Sequence, residues 1–595
     1  MDVLSLLQRH PADRPAIGAP GRDWLTYGGL RDQVHAVIDT LRAHGIGRGD
    51  RVAYVLPNGP ELAVTFLAVS SGAAAAPLNP RYREPEFDFY LSDLGARLLI
   101  VRDDYDGDAL PVAEKHGIRV LRLSVPEGAR AGAYTLSGEA GAEPSTDGPN
   151  EPDDVALVLH TSGTTSRPKI VPLRARNITR SAENIRESLA LTPDDRCLNV
   201  MPLFHVHGLM GALLSSMAAG GSVVCSPGFF ATDFFGWMAA FEPTWYTAVP
   251  TMHQALLQRR EGIPAAHRMR FIRSCSASLP PSVMADLEGA FGVPVVEAYG
   301  MTEAAHQISI NPLPPGERKP GTVGLPTGVV VGIMDEEGNL LPAGQRGEIV
   351  LKGASVTDGY ENNPEANAAS FTEGWFRTGD QGVIDEAGYV TITGRIKELI
   401  NRAGEKVSPR EVDEVLLTHP EVVQAVAFAM PDERLGEEVA AAVILREGAE
   451  LDARDLREFA AEQLADFKVP RHILFVDEVP KGPTGKLQRI GLAEKLGLVA
   501  EPLPEPGGYV APRTPVEEML AAVWADVLRR DTVGVRDEFT ALGGDSMLAT
   551  RVVTRVREQL GVDVTLRDFF DTPTIESMAP VIEDRLFAAD DQSLG

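Results

Sequence analysis

The sequence predicts an α/β protein: a large N-terminal domain of parallel α/β sheets with a β-rich section, a smaller α+β domain, and an all-α bundle. Three observations lead there. Strand-like and helix-like stretches alternate along the first third of the chain, the order that builds a parallel sheet covered on both faces. After about Gly321 the texture changes to short strands separated by turns. Beyond residue 500 a linker rich in proline, glycine and glutamate precedes helix-start signals and helical periodicity. A chain of 595 residues exceeds one hydrophobic core. The expected boundaries are 1–394, 395–495, a linker at 496–512, and 513–590.

Taken in order, residues 51–56 read as a strand, and Asn58 and Pro60 open an apolar helix through Leu62, Phe66 and Val69. Residues 73–78 fit a short buried strand, 84–94 a second helix and 97–101 the next strand. Residues 124–152, rich in Gly, Pro, Glu and Ser, form a surface excursion, and the apolar run 155–159 is again a buried strand. Further strands are expected at 197–202, 222–225, 245–249, 271–275 and 295–298. The uncharged run 206–232 is broken by Gly, Ser and Pro, so it reads as a buried helix with its flanking strand and loop rather than a membrane span. Strands at 329–334, 348–352 and 389–393 make the β-rich section, with bends at Glu337-Gly338 and Ala387-Gly388. In the tail, Thr514-Pro-Val-Glu517 is a capping box that opens a helix through Leu528. A second helix begins at Ser546, carries Leu548, Val552, Val556 and Leu560 along one stripe, and ends at Gly561.

Composition excludes several functions. Hydrophobic content of 44% with 24% charged residues is that of a soluble globular protein, and a formal net charge of −28 argues against nucleic-acid or anionic-membrane binding. The N-terminal fifteen residues, with Asp2 and no long apolar core, are not a secretory signal. Cys197, Cys225 and Cys275 have neither metal nor disulfide spacing and suit a reducing compartment. A cytoplasmic protein is expected.

Chemistry concentrates in five stretches. Behind the 155–159 strand come Thr161, Ser162, Gly163, Thr164 and Thr165, small residues that crowd N–H and O–H donors into a short arc, with Arg167 and Lys169 adding positive charge. Phosphate oxygens only accept hydrogen bonds, so such a loop suits them, although taken alone it also marks a plain turn. The Walker A spacing is absent. Glu297-Ala-Tyr-Gly-Met-Thr-Glu303 offers a ring for a base and a carboxylate for a hard cation. Trp375-Phe-Arg-Thr-Gly-Asp380 supplies a diol acceptor, the stretch from Gly394 to Gly404 supplies Arg395 as a donor, and Pro480-Lys-Gly-Pro-Thr-Gly-Lys486 presents one lysine. Each of these alone reads equally as solvated charge.

Together, in this order, these stretches resemble the signatures of the adenylate-forming superfamily, which comprises acyl-CoA synthetases, peptide-synthetase adenylation domains and beetle luciferases. The resemblance covers essentially residues 1–495. In motif detail it is greatest to oxalate- and short-acid–CoA ligases, through Met201-Pro-Leu-Phe-His-Val-His-Gly208, Arg273-Ser-Cys-Ser-Ala-Ser-Leu279 and Met301-Thr-Glu-Ala-Ala-His-Gln307. Ser166 and Ile170 stand where the family's phosphate loop usually has glycines.

The resemblance implies ATP and Mg²⁺, a carboxylate that attacks the α-phosphorus to give an acyl-adenylate, and a thiol that then displaces AMP. It implies that Thr161 to Thr165 and Lys169 hold phosphates and that Tyr299 and Gly300 lie against adenine, with Ser276, Ala277 and Ser278 at its edge. Asp380 and Arg395 would take the ribose, Thr302 the α-phosphate, Glu303 the Mg²⁺, and Lys486 the attacking carboxylate and α-phosphate together. The smaller domain would be mobile, turning at Lys397 between the two steps and bringing the Ala403-Gly404 face toward the thiol. His205, His207 and His306 would lie at the acyl pocket, and no aspartate stands where peptide-synthetase domains hold an ammonium group. A small polar acid that is not an α-amino acid is therefore expected. The tail's Gly-Gly-Asp-Ser546 resembles the attachment site of a carrier domain, with 4′-phosphopantetheine on Ser546. That implies a phosphopantetheinyl transferase and downstream carrier-dependent enzymes as partners, and the protein's own arm as acyl acceptor. Two alternatives are an acyl-CoA ligase using free CoA with the carrier as passenger, and a delivery module whose adenylating half is inactive. The complete set of Glu303, Asp380, Arg395 and Lys486 argues against inactivity.

Overall fold

A nine-stranded and a seven-stranded sheet, both largely parallel, organise the N-terminal part of the protein. The computed structural model describes all residues except 140–145, 147, 162–167, 433–434, 447, 481–488, 499–508, 529, 540–541, 543–545, 563 and 594–595. Two compact units result, residues 1–430 with 438–497, and residues 431–437 with 498–595.

The seven-stranded sheet grows from the expected βαβαβ run. Arg51–Val55, Ala74–Pro77 and Leu98–Arg102 pair in parallel, connected by the helices Pro60–Gly72 and Glu84–Leu94. Pro60 sits at the start of its helix, where its missing N–H goes unused. Parallel strands connected by helices are covered on both faces, and every residue of Ala74–Pro77 is buried. The sheet's last strand departs from expectation. Ile170, in sequence only a substituted glycine of the phosphate loop, opens the strand Ile170–Arg174, which pairs antiparallel with Val155–His160. It occupies the sheet edge, the place where a strand tolerates a residue such as Pro172. The 124–152 excursion contributes a short edge strand, Thr135–Ser137.

The nine-stranded sheet carries Arg196–Asn199, Ser222–Cys225, Trp245–Ala248, Phe271–Ser274 and Val295–Met301 in parallel register. The last of these runs longer than expected and holds Tyr299 and Gly300 within the strand. A one-turn 3₁₀ helix, Thr302–Ala304, then reverses the chain into His306–Ile310. The apolar run after His205 is buried from Val206 to Ser226, and its first part, His207–Leu214, is wound as a π-helix before the α-helix Ser215–Ala219. The cysteines are all buried thiols.

The β-rich section is an antiparallel sheet in which Trp375–Ile384 is central, paired with both Gly347–Lys352 and Val390–Arg395. This register sets Asp380 directly opposite Arg395. Residues from Ile400 to Lys495 form a five-stranded sheet with the helices Pro409–Leu416 and Ala453–Ala461 packed on it.

In the second unit the helices Pro515–Leu528, Ser546–Leu560, Leu566–Asp571 and Ile575–Ser593 enclose a core centred on Trp524, Phe539 and Phe569. Thr514 Oγ1 accepts from Glu517 N at 3.2 Å, while the Glu517 carboxylate reaches one residue beyond the usual box to Arg513 N at 2.6 Å. Val552 and Val556 are fully buried, and Gly561 closes its helix at φ +68°, a conformation glycine reaches without strain. Among the described residues no helix is long and apolar enough to cross a membrane.

Candidate active site

At the C-terminal ends of the parallel strands a cavity of about 350 Å³ opens between the nine-stranded sheet and the smaller domain. Open α/β sheets bind ligands at this end. Its wall includes Ser276, Ala277, Ser278, Tyr299, Gly300, Asp380 and Arg395, so the expected nucleoside residues from four stretches meet here. Tyr299 Oη donates to Asp380 Oδ2 at 2.5 Å, and Arg395 Nε donates to Asp380 Oδ1 at 3.0 Å. Asp380 is buried while the Arg395 side chain is half-exposed, so the carboxylate is held from within and covered from outside. Ser276 adopts φ +76°, a strained value that turns its side chain at the cavity rim.

A second group forms beside it. Glu303 is buried and accepts from Tyr360 Oη at 2.7 Å. The ammonium of Lys169 lies over the same tyrosine ring, 4.4 Å from its centroid. Burial raises the Glu303 carboxyl above its ordinary range, and burial together with the charge of Lys397 lowers the Lys169 ammonium. Thr302 is in the 3₁₀ turn that carries Glu303. Ser162, Gly163, Thr164, Thr165 and Lys486 lie outside the described residues; Thr161 and Lys169 are joined across the base of the loop, Thr161 N donating to Lys169 O at 2.9 Å.

The histidines separate. His207 Nδ1 is 3.0 Å from Ser276 Oγ, and its ring stacks on His306 with centroids 5.1 Å apart. His205 is half-buried next to Phe204.

Three residues in and around the site are not singled out by the sequence. Glu297 is 1% exposed, and its carboxylate accepts from Leu279 N at 2.9 Å through Oε1 while Oε2 has no partner. Burial pushes this carboxyl up from 4.5 to about 7. Tyr360, which joins Lys169 to Glu303, and Arg273, which lies behind His207, were also passed over.

The family model for AMP-binding enzymes matches residues 6–361, that for their C-terminal domain 411–486, and that for a phosphopantetheine attachment site 518–582. The chain belongs to the AMP-binding enzyme family. It is similar to the oxalate–CoA ligase of Arabidopsis thaliana, at 47% identity over 82% of this chain and 97% of that protein. It is also similar to the sulfoacetate–CoA ligase of Cupriavidus necator, at 37% identity over 81% and 94% of the two chains. Among solved structures, ATP-bound MatB from Rhodopseudomonas palustris matches with a TM-score of 0.75 at 32% identity, over 83% of this chain and 99% of that one. The protein is thus an AMP-forming acid–thiol ligase that adenylates a carboxylic acid, uses ATP and Mg²⁺, and ends in a domain that bears 4′-phosphopantetheine.

The residues of this ligase fit those groups. The orphan Glu297 Oε2, an acceptor once the carboxyl is ionised, suits the exocyclic amine of adenine, and Val323 and Ile392 give the cavity apolar walls. Mg²⁺ typically takes one or two carboxylates and fills its remaining positions with water and phosphate oxygens. Glu303, with one oxygen on Tyr360, suits that role. Such an ion would neutralise phosphate charge as it develops.

One prediction follows from Glu297. The folded state keeps this proton up to about pH 7, whereas an unfolded glutamate loses it near 4.5. Between those values the native protein binds more protons, so stability falls as pH rises, by up to about 3 kcal/mol, and is level on either side. Glu297→Gln is expected to narrow the difference in melting temperature between pH 5.5 and pH 8; an unchanged difference would show that Glu297 does not titrate there.

Proposed function

We propose that this ligase adenylates a small polar acid, not an α-amino acid, and transfers the acyl group to the phosphopantetheine thiol on its own Ser546. A carboxylate oxygen attacks the α-phosphorus of ATP, pyrophosphate leaves, and the mixed anhydride passes its acyl group to sulfur with loss of AMP. No side chain forms a covalent intermediate, so positioning and charge supply the rate. Asp380 and Arg395 hold the ribose, Tyr299, Ser276 and Ser278 border the base, and Thr302 contacts the α-phosphate. Glu303 takes the metal, and Thr161 to Thr165 with Lys169 take the phosphates. The smaller domain, 395–495, turns at Lys397 relative to 1–394 and presents Lys486 for the first step only.

The observation that carries the reading is the polar wall at the acyl end: Ser276 lines the cavity and is hydrogen-bonded to His207, which stacks on His306. Relatives named for oxalate and sulfoacetate agree with it, since both acids carry a second anionic group. Carrier transfer is supported by Ser546 opening the 15-residue helix Ser546–Leu560; the preceding Gly-Gly-Asp lies outside the described residues. Tethering raises the local thiol concentration to about the millimolar range. A phosphopantetheinyl transferase must load the arm, and a carrier-dependent enzyme must unload it. The extent of the CoA-ligase relatives, which match about four-fifths of this chain, supports free CoA as a second acceptor.

Intact mass of the holo-protein after turnover with ATP and acid tests the first reading. An acyl adduct that disappears in Ser546→Ala is the expected result. Acyl-CoA formation with no protein adduct would assign the thiol to free CoA.

A further inference from the structure

Arg273 is the most deeply buried charge in the ligase core. It lies in the strand Phe271–Ser274, is 0% exposed, and has no carboxylate paired with it among the described residues. Its Nη1 donates to Thr247 Oγ1 at 3.1 Å and faces His207 Nε2 at 3.4 Å. Its Nη2 faces His306 Nε2 at 3.1 Å and donates to Gln307 Oε1 at 3.0 Å, while Nε has no partner. Burial draws its pKa below the ordinary arginine value, as expected for a charge with no acid beside it.

A guanidinium only donates, so the imidazole nitrogens facing it accept. Thr247 Oγ1, already receiving a proton from Arg273, turns its own hydrogen onto His207 Nε2 at 2.6 Å. His207 therefore carries its proton on Nδ1 and donates to Ser276 Oγ at 3.0 Å, which leaves the Ser276 hydrogen for the cavity. His306 is fixed in the same sense, and its Nδ1 edge faces Gly300 on the cavity wall, where an added Cβ would come within 3.2 Å of it. The approach also needs Gly211 bare, since a Cβ there would stand 2.6 Å from His306 Nε2.

We propose that Arg273 is a positioning residue that holds His207 and His306 as Nδ1–H donors, so that Ser276 and this wall receive a second, acceptor-only anionic group of the acid substrate. The proposal rests on the small-polar-acid reading and names the feature that selects the acid. A bound anion supplies the counter-charge that Arg273 otherwise lacks.

Pyrophosphate exchange by the full chain, titrated with oxalate, malonate and acetate, tests it. Arg273→Met is expected to raise KM for the diacids about 10- to 100-fold and to change acetate kinetics less than about threefold, with KM for ATP unchanged. The imidazole ¹⁵N spectrum of the histidine-labelled wild type should show His207 protonated at Nδ1, a readout that stands if Arg273→Met fails to fold. Protonation at Nε2, or equal loss for diacids and acetate, overturns the inference. A wild type that prefers diacids, with a variant that keeps the preference, overturns it alone. A wild type indifferent to the second carboxylate overturns the polar-acid reading with it.

Discussion

Lys486→Ala is expected to lower pyrophosphate exchange about a thousandfold while leaving thiol transfer from a pre-made acyl-adenylate within about threefold of the parent. The first step brings a carboxylate against a phosphate, and negative charge gathers where the two meet. A single ammonium about 4 Å away, in a surrounding of effective dielectric about 20, contributes about 4 kcal/mol, which is that thousandfold. Lys486 lies outside the described residues, but Arg489, three residues on, is firmly held. Arg489 Nη2 pairs with Asp413 at 2.5 Å, Nη1 donates to Ala427 O at 2.8 Å, and Nε is 3.4 Å from Glu398, the residue after Lys397. Arg489 therefore ties this end of the chain to the smaller domain and to the proposed pivot. In the proposed two-conformation cycle Lys486 departs after the first step, which makes it dispensable in the second. Equal loss in both half-reactions would defeat the two-conformation account.

Asp380→Ala is expected to raise KM for ATP by about two orders of magnitude and to lower stability by about 2 to 3 kcal/mol. The carboxylate is 4% exposed and takes both Tyr299 Oη and Arg395 Nε, so its removal strands a buried phenol and releases a guanidinium. The half-exposed Arg395 finds water, which keeps the loss below that of a fully buried pair. Asp380→Asn retains an acceptor for the phenol and should recover most of the stability but less of the ATP affinity. Thermal unfolding and ATP titration separate the two. A destabilised variant with unchanged KM would make Asp380 a structural residue only.

The fold was legible where local pattern and burial agree. The buried runs 52–56, 73–78 and 222–225 announced their strands because a residue covered on both faces leaves no choice but apolar side chains. Ile170–Arg174 was not legible, since Pro172 speaks against a strand and only the edge position reconciles the two. Site residues with a charge and a motif, such as Asp380 and Glu303, could be named in advance. Tyr360 could not, because its value comes from touching Lys169 and Glu303, both remote in sequence. Arg273 and Glu297 sit inside strands that read as core, and no periodicity reveals that a core position carries an ionisable group. The clue was available only as a charged residue within an apolar run.

The winding of His207–Leu214 has one more consequence. Ser215 N bonds back to Met210 O, five residues away, so this stretch stores more chain per turn than an α-helix does. Deleting any one residue within it would let the segment relax to α-helical winding. Side chains inside the former wide turn would then change phase by up to about 100° relative to their neighbours. His207, at the start of that turn, would lose its fixed approach to Ser276 and Thr247 although the composition of the segment stayed suited to burial. Length, more than composition, is what this segment cannot change.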